Sequence, residues 1–226
     1  MTMIADNLQR VRSRIGTACE AAGRRVEDVT LLAVSKTFGP EAVREAHAAG
    51  QQAFGENYIQ EAVEKIALLG DLALEWHCIG PIQSNKTRLV AENFAWVHSV
   101  DRLKTAERLS AQRPAGLADL QVCIQVNVDG GANKAGVSPG EALSLALEIS
   151  RLPRLRLRGL MSIPEPQEGF AAQKAVHVRA RELFDEWQAA GLDVDTLSMG
   201  MTGDLEAAIA AGSTMVRVGT AIFGPR

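Results

Sequence analysis

The chain lacks several features that would place it quickly. Its three cysteines, Cys19, Cys78 and Cys123, are odd in number and far apart, with no C-x-x-C pair. That pattern speaks against a disulfide framework and against a zinc site, and leaves them as small buried apolar residues. No stretch approaches the roughly 18 consecutive apolar residues of a membrane span. The opening "MTMIADNLQR" has no charged-then-apolar secretory pattern, so the cytoplasm is the expected location. Charge of one sign is missing too: 24 Lys and Arg stand against 27 Asp and Glu, a formal net charge of −3 that offers no general attraction for nucleic acid or an anionic membrane. There is no linker, low-complexity tract or charge block, and "IPEPQEG" (163 to 169) reads as a proline-rich loop.

What the chain does have is alternation. Ile4, Leu8, Val11, Ile15 and Ala18 recur on one face of a first helix that Gly23 is placed to end. Short apolar runs follow at "LLAVS" (31 to 35), "QQAFG" (51 to 55), "LEWHCIG" (74 to 80) and "AWVHSV" (95 to 100). Four more lie at "LQVCIQVNV" (120 to 128), "LRLRGLMSI" (155 to 163), "DTLSMGM" (195 to 201) and "TMVRVGTAIF" (214 to 223). Helical segments between them carry their own punctuation. Pro40 sits at a first turn and Gly50 at a stop, Asp101 is a cap, Ser138 and Glu141 form a capping box around Pro139, and Asp204 opens a last helix ending at Gly212.

Eight strands, one helix before them and seven between them predict a parallel α/β fold. Eight such units favour a closed TIM-type barrel over an open doubly wound sheet, and the absence of G-x-G-x-x-G after the first strand weighs the same way. With 226 residues, 46% of them hydrophobic, the chain has enough apolar surface for one core, so a single domain over 1–226 is expected, with helix 1–23 packed on the barrel. The exposed helix faces read as polar, which favours a monomer.

Strand parity then sorts the polar residues. Leu32, Val34 and Lys36 share one face, so if that face lines the barrel, Lys36 reaches its C-terminal mouth, where such folds place their chemistry. Burial there disfavours the charged amine, and a neutral lysine condenses with aldehydes; a lysine at a strand end can equally snorkel to solvent. Glu56, Asn57 and Tyr58 end strand two, His77 lies on strand three, His98, Ser99 and Asp101 end strand four, Gln125 and Asn127 lie on strand five, and Arg217 on strand eight.

The turns "SMGMTGD" (198 to 204) and "RVGT" (217 to 220) offer glycines, a helix start and the hydroxyls of Thr202 and Thr220, which suit a phosphate; Gly203 and Asp204 also serve simply to turn and cap. An aldehyde-seeking lysine facing a phosphate cradle describes the two ends of pyridoxal 5′-phosphate. A cofactor-free Schiff-base aldolase acting on a phosphorylated sugar would use the same pair. A metal-dependent hydrolase on Glu56, His77 and His98 lacks a recognisable ligand spacing, and no metal is expected.

In "AVSKT" (33 to 37), "FGENYIQEA" (54 to 62), "WHCIGPIQSNK" (76 to 86), "LSMGMTGDLEAAI" (197 to 209) and "VRVGTAIFG" (216 to 224) the chain resembles the pyridoxal phosphate homeostasis protein family, whose fold is like the barrel domain of alanine racemase. The resemblance implies that Lys36 forms a Schiff base with pyridoxal phosphate. Thr202, Gly219 and Thr220, with amides such as that of Met201, would hold the phosphate, Arg217 would face the pyridine nitrogen, and Asn57 and His77 would lie near the ring. Thr202 stands where the family more often has serine, and Phe38 where some members carry a second lysine. Lys134, in "DGGANKAG" (129 to 136), reads first as a solvated loop lysine and second as a candidate second amine for cofactor handling.

A guanidinium only donates, so the ring nitrogen opposite it stays unprotonated and the ring is a blunted electron sink. Racemisation also needs a base on the opposite face, which in the racemases is a tyrosine of another domain; the one tyrosine here, Tyr58, starts the helix after strand two. The resulting expectation is a reversible carrier that limits free aldehyde, with apo-forms of pyridoxal enzymes as partners. A weak racemase is the alternative.

Overall fold

The computed structural model describes residues 2–131 and 135–225, so Lys134, the candidate second amine, lies outside the described residues. The chain opens with helix α1 (Met3–Ala21), capped by the Thr2 hydroxyl, which accepts from the Ala5 amide at 3.4 Å. Its buried face holds Ile4, Leu8, Val11, Ile15 and Ala18, the residues the helical period selects, together with Cys19. Then β1 (Thr30–Val34), α2 (Pro40–Ala48), β2 (Ala53–Glu56), α3 (Ile59–Leu68), β3 (Glu75–Cys78), α4 (Thr87–Asn93) and β4 (Trp96–Val100) alternate. They are followed by α5 (Leu103–Gln112), β5 (Leu120–Gln125), α6 (Pro139–Ile149), β6 (Leu155–Met161), α7 (Phe170–Ala189), β7 (Thr196–Ser198), α8 (Leu205–Ala210), β8 (Met215–Val218) and α9 (Thr220–Phe223).

All eight strands pair in parallel in sequence order, and β8 returns to β1 with Leu32 opposite Arg217, so the sheet closes into a TIM-type (β/α)8 barrel. Alternation divides each strand between two environments. Ala33, Phe54, Val97 and Val216 point outward into the layer beneath the helices. Leu32, Ala53 and Met215 form one interior cluster and Trp96, Cys123 and Met161 another, with His77, His98 and Arg217 at the same interior parity. The three cysteines are free and buried, and burial pushes the thiols of Cys78 and Cys123 up to about 12, which keeps them protonated and inert. Among the described residues no helix is long and apolar enough to cross a membrane.

The structure departs from the sequence reading at several element ends. The run 214 to 223 is not one long strand. It breaks at Gly219, whose ψ of −74° leaves the extended region, and Thr220–Phe223 turn into α9, where Ile222 and Phe223 are buried and the Asn7 side chain of α1 donates to the Ile222 carbonyl at 2.9 Å. Strand five stops at Gln125 rather than 128, because beyond Val126 the Asn127 amide bonds to the Val137 carbonyl instead of to β6. Strand six stops at Met161 rather than 163, and strand seven keeps only Thr196–Ser198 of 195 to 201. The N-cap of α5 is Arg102 rather than Asp101. At α6 the Ser138 hydroxyl bonds to the Glu141 carboxylate itself, so the two side chains satisfy each other and the box with the backbone does not form.

Candidate functional site

Lys36 lies two residues past the end of β1 and is half-buried. It lines a cavity of about 350 Å³ at the C-terminal mouth of the barrel, together with Arg217 and Asn57. Met201, Thr202 and Gly203, after β7, and Gly219 and Thr220, after β8, line the same space, with Val34, Ile79 and Ile163 as its apolar walls. A slightly larger hollow, about 410 Å³, lies between α1, α7 and α8, but its lining is mostly alanine and other small side chains and holds no comparable set of reactive groups.

The Lys36 segment is fixed from behind. Thr37 has φ of +69°, a left-handed backbone that a β-branched residue adopts only under constraint. The constraint is Glu61, whose carboxylate accepts from the Thr37 amide at 2.8 Å. Lys65 of α3 supports the residue on the other side, donating to the Ser35 carbonyl at 3.0 Å and to Glu56 Oε1 at 2.7 Å. The Ser35 hydroxyl donates to the same Glu56 oxygen at 2.6 Å. Glu56 therefore faces α3 and not the barrel interior, and it does not converge with His77 and His98; among the described residues no His, Cys, Asp or Glu group is arranged to hold a metal ion.

Arg217 enters the cavity from β8. Its Nη1 donates to Ser198 Oγ at 2.7 Å and its Nη2 to the Ser162 carbonyl at 2.9 Å, which fixes the guanidinium plane. Burial pulls its pKa down to about 10, so it still carries its charge at neutral pH. Asn57 is placed by a close backbone approach: a Cβ on Gly80 would sit 2.1 Å from the Asn57 carbonyl oxygen, so only glycine lets the loop after β3 pass there. Asn57 Oδ1 and Ser162 Oγ are buried and without a hydrogen-bond partner.

The β7 turn is held by Gly200 (φ +94°), where a Cβ would lie 2.5 Å from that of Ala208. Arg14 of α1 reaches across to the Thr202 carbonyl at 3.0 Å and to Glu206 at 2.8 Å. Asp204 accepts from the Met201 amide at 2.6 Å and lies 2.9 Å from His177 Nε2, so its charge is turned toward α7, away from the cavity. This corrects one expectation: the Met201 amide is already bonded to Asp204, and the residue lines the cavity without offering that N–H to an anion. His77 differs as well. It does not line the cavity but lies fully buried beneath it, stacked on Trp96 at 5.2 Å and bonded to His98 and Glu75. Phe38 stacks on Phe223 of α9 at 5.2 Å, so an apolar contact stands at that position.

Several residues of this site escaped the sequence reading. Lys65 and Glu61 are an i, i+4 pair on α3, visible in "EAVEK" but not assignable to the Lys36 segment without the fold. Ser198 and Ser162 sit in apolar runs, and strand parity, applied across neighbouring strands, was the signal that could have found Ser198. Taken together, the cavity offers an amine, a fixed cation, one unpartnered acceptor on Asn57, apolar walls and a glycine- and threonine-bearing turn where a Cβ on Gly203 would meet nothing within 4 Å. These residues fit a flat, phosphorylated aromatic aldehyde.

Comparison with known proteins points the same way. The family model described as alanine racemase, N-terminal domain, matches residues 4–226. The pyridoxal phosphate homeostasis protein of Pseudomonas aeruginosa is 60% identical over 226 residues, covering 100% of this chain and 97% of its own length. That of Escherichia coli (strain K12) is 52% identical over 229 residues, covering 100% and 98%. The structure of PipY from Synechococcus elongatus PCC7942 with PLP bound matches with a TM-score of 0.85 at 39% identity, over 98% of this chain and 100% of that one. Alanine racemase from Clostridium difficile 630 shares the fold at 16% identity and a TM-score of 0.74, this chain spanning 57% of its length. With identity at this level over the full length of its relatives, and with the lysine, guanidinium and threonine turns gathered at one barrel mouth, the chain belongs to the pyridoxal phosphate homeostasis protein family.

Proposed function

We propose that this protein holds pyridoxal 5′-phosphate reversibly on Lys36 and so sets the level of the free cofactor, without turning over a substrate of its own. The observation that carries the reading is that Lys36, Arg217, Thr202 and Thr220 line one cavity of about 350 Å³. When bound, the cofactor supplies an aldehyde that condenses reversibly with an amine. The protein's own groups do the rest. Thr202 and Thr220, with the glycines at 203 and 219, would hold the phosphate; Val34, Ile79 and Ile163 would exclude water from the faces of the ring; Asn57 would pair with a ring substituent. Arg217, still charged at neutral pH, would donate to the ring nitrogen and keep it unprotonated.

The case against catalysis rests on what faces Lys36. Among the described residues lining the cavity, Lys36 and Arg217 are the ones with ionisable side chains, and a charged guanidinium does not serve as a base. Tyr58 caps α3, is 52% exposed and is not part of the cavity wall. Transfer to apo-enzymes would follow from the open mouth, and a monomer would suffice for it.

Borohydride treatment of the loaded protein tests the reading. It should fix one cofactor-sized mass on Lys36, and Lys36→Ala should take up no colour and no mass. Sustained turnover of an amino acid, abolished by Lys36→Ala, would overturn the non-catalytic part. For delivery, loaded protein is mixed with an apo-pyridoxal enzyme and a free-aldehyde trap; activation no faster than from free cofactor sinks that part and leaves holding intact.

A further inference from the structure

Beneath the Lys36 cavity, five polar side chains form one hydrogen-bonded line across the barrel interior. Arg217 Nη1 donates to Ser198 Oγ at 2.7 Å, and Ser198 Oγ lies 2.9 Å from His98 Nδ1. His98 Nε2 lies 2.9 Å from His77 Nδ1, and His77 Nε2 lies 2.9 Å from Glu75 Oε1. The two ends open on opposite faces. Arg217 lines the cavity at the C-terminal mouth, whereas Glu75, the first residue of β3, lines a separate cavity of about 390 Å³ at the N-terminal face with Trp96, Arg158 and Asp195.

The ends dictate the direction of every bond between them. Glu75 is a carboxylate and only accepts, so His77 presents Nε2–H to it and a bare Nδ1 to His98. His98 then carries its proton on Nε2 and accepts at Nδ1 from the Ser198 hydroxyl. That hydroxyl oxygen is left to accept from Arg217, a group that only donates. Each member is satisfied with both imidazoles neutral, which suits two rings with no exposed surface. Donors that all point one way polarise one another, with the anion at Glu75 and the cation at Arg217. Arg158, over the Trp96 ring at 4.6 Å and paired with Asp195 at 2.7 Å, borders the Glu75 end without joining the line.

We propose that Glu75, His77, His98 and Ser198 are positioning residues for the Arg217 guanidinium, and that through them the cavity at the N-terminal face is coupled to the cofactor pocket. The coupling rests on the reading that Arg217 faces the bound cofactor; the direction of the line does not. Two measurements keep these apart. In cofactor-free protein, ¹⁵N NMR of the imidazoles should show both His77 and His98 as the Nε2–H tautomer, and an Nδ1–H tautomer at either ring overturns the proposal.

In loaded protein, Glu75→Ala and Ser198→Ala should release the cofactor about threefold to tenfold faster and shift its visible absorption. Glu75→Gln, whose amide oxygen still accepts from His77, should recover most of that loss. Asp28→Asn alters another carboxylate lining the same N-terminal cavity, one paired with Arg25 instead, and should change neither readout. Release and absorption of Glu75→Ala and Ser198→Ala equal to wild type refute the coupling, as does an equal effect of Asp28→Asn. Wild-type protein that takes no cofactor overturns the underlying reading and the coupling with it.

Discussion

Replacing Lys65 by methionine tests how the Lys36 segment is held. The Lys65 and Glu56 side chains are 3% and 0% exposed, so the pair is wholly removed from water. Lys65→Met keeps the apolar stem but deletes the donor to Glu56 Oε1 (2.7 Å), the Ser35 carbonyl (3.0 Å) and Glu61 (3.2 Å). Glu61 is partly exposed and keeps its bond to the Thr37 amide, so its share is small. Glu56 is left as a buried charge with one hydroxyl partner, and removing one member of such a pair costs about 3–5 kcal/mol. In urea unfolding at pH 7 the midpoint should fall accordingly, and Glu56→Gln added to Lys65→Met should restore half or more of the loss, because it removes the stranded charge.

The sign of the pH dependence is a second check. Burial already raises the Glu56 pKa, with Lys65 and Ser35 pulling it back. Without Lys65 it rises further, so the folded variant binds a proton at a pH where the unfolded chain, titrating near ~4.3, does not. Extra proton binding by the folded state means that stability is lost as pH rises and regained as it falls. The gap between wild type and Lys65→Met should therefore narrow from pH 7 toward pH 5. A loss below about 1 kcal/mol, or a gap that does not move with pH, would refute the account.

Three further outcomes are expected. Gly80→Ala puts a methyl into the Asn57 backbone and should lower the unfolding free energy by about 1–3 kcal/mol while speeding cofactor release, as read by urea unfolding and visible absorbance. Thr37→Gly relieves the positive φ and should stabilise the protein by about 1 kcal/mol in the same unfolding assay; a loss instead would show that the side chain matters more than the backbone strain. Burial works to raise the Asp204 pKa, but the His177 hydrogen bond and the Met201 amide outweigh it and hold the carboxyl below its usual range. Its contribution is thus present above about pH 4 and lost as pH falls through the depressed folded value. Melting temperatures of wild type and Asp204→Asn should converge below that pH.

The sequence made the barrel readable because each strand is a short apolar run with turn chemistry at both ends, and because eight of them alternate with helical punctuation. Parity gives Lys36 the face of Leu32 and Val34, which reaches the barrel mouth if that face is interior, and the glycines and threonines of the last two turns mark where an anion could sit; that Arg217 shares the interior is seen only from its pairing opposite Leu32. What stayed hidden depends on partners far away in sequence. The Met201 amide looked available until Asp204 was seen to curl back onto it. The family resemblance implies that His77 lies near the ring, but its partner His98 and the Trp96 ring hold it a layer deeper. The tail of the eighth run reads as extended because Ala221, Ile222 and Phe223 are apolar; the burial of Ile222 and Phe223 comes from packing near α1, to which the chain returns only after the bend at Gly219.

The two fixed points of the pocket are both secured from outside it. Behind Lys36 stands the Ser35, Glu56, Glu61 and Lys65 network, and behind Arg217 the line of side chains to Glu75. On the proposed reading the pocket holds a cofactor and need not aim groups at charge that develops only in a transition state. A holder of cofactor needs something else: ground-state complementarity that costs little to organise, with a mouth that stays open. Buried polar networks behind the lining supply that stiffness without occupying the lining. Mutations in them should therefore change how long the cofactor stays and leave which molecule is chosen unaltered, whereas changes at Thr202, Asn57 or Arg217 should alter both.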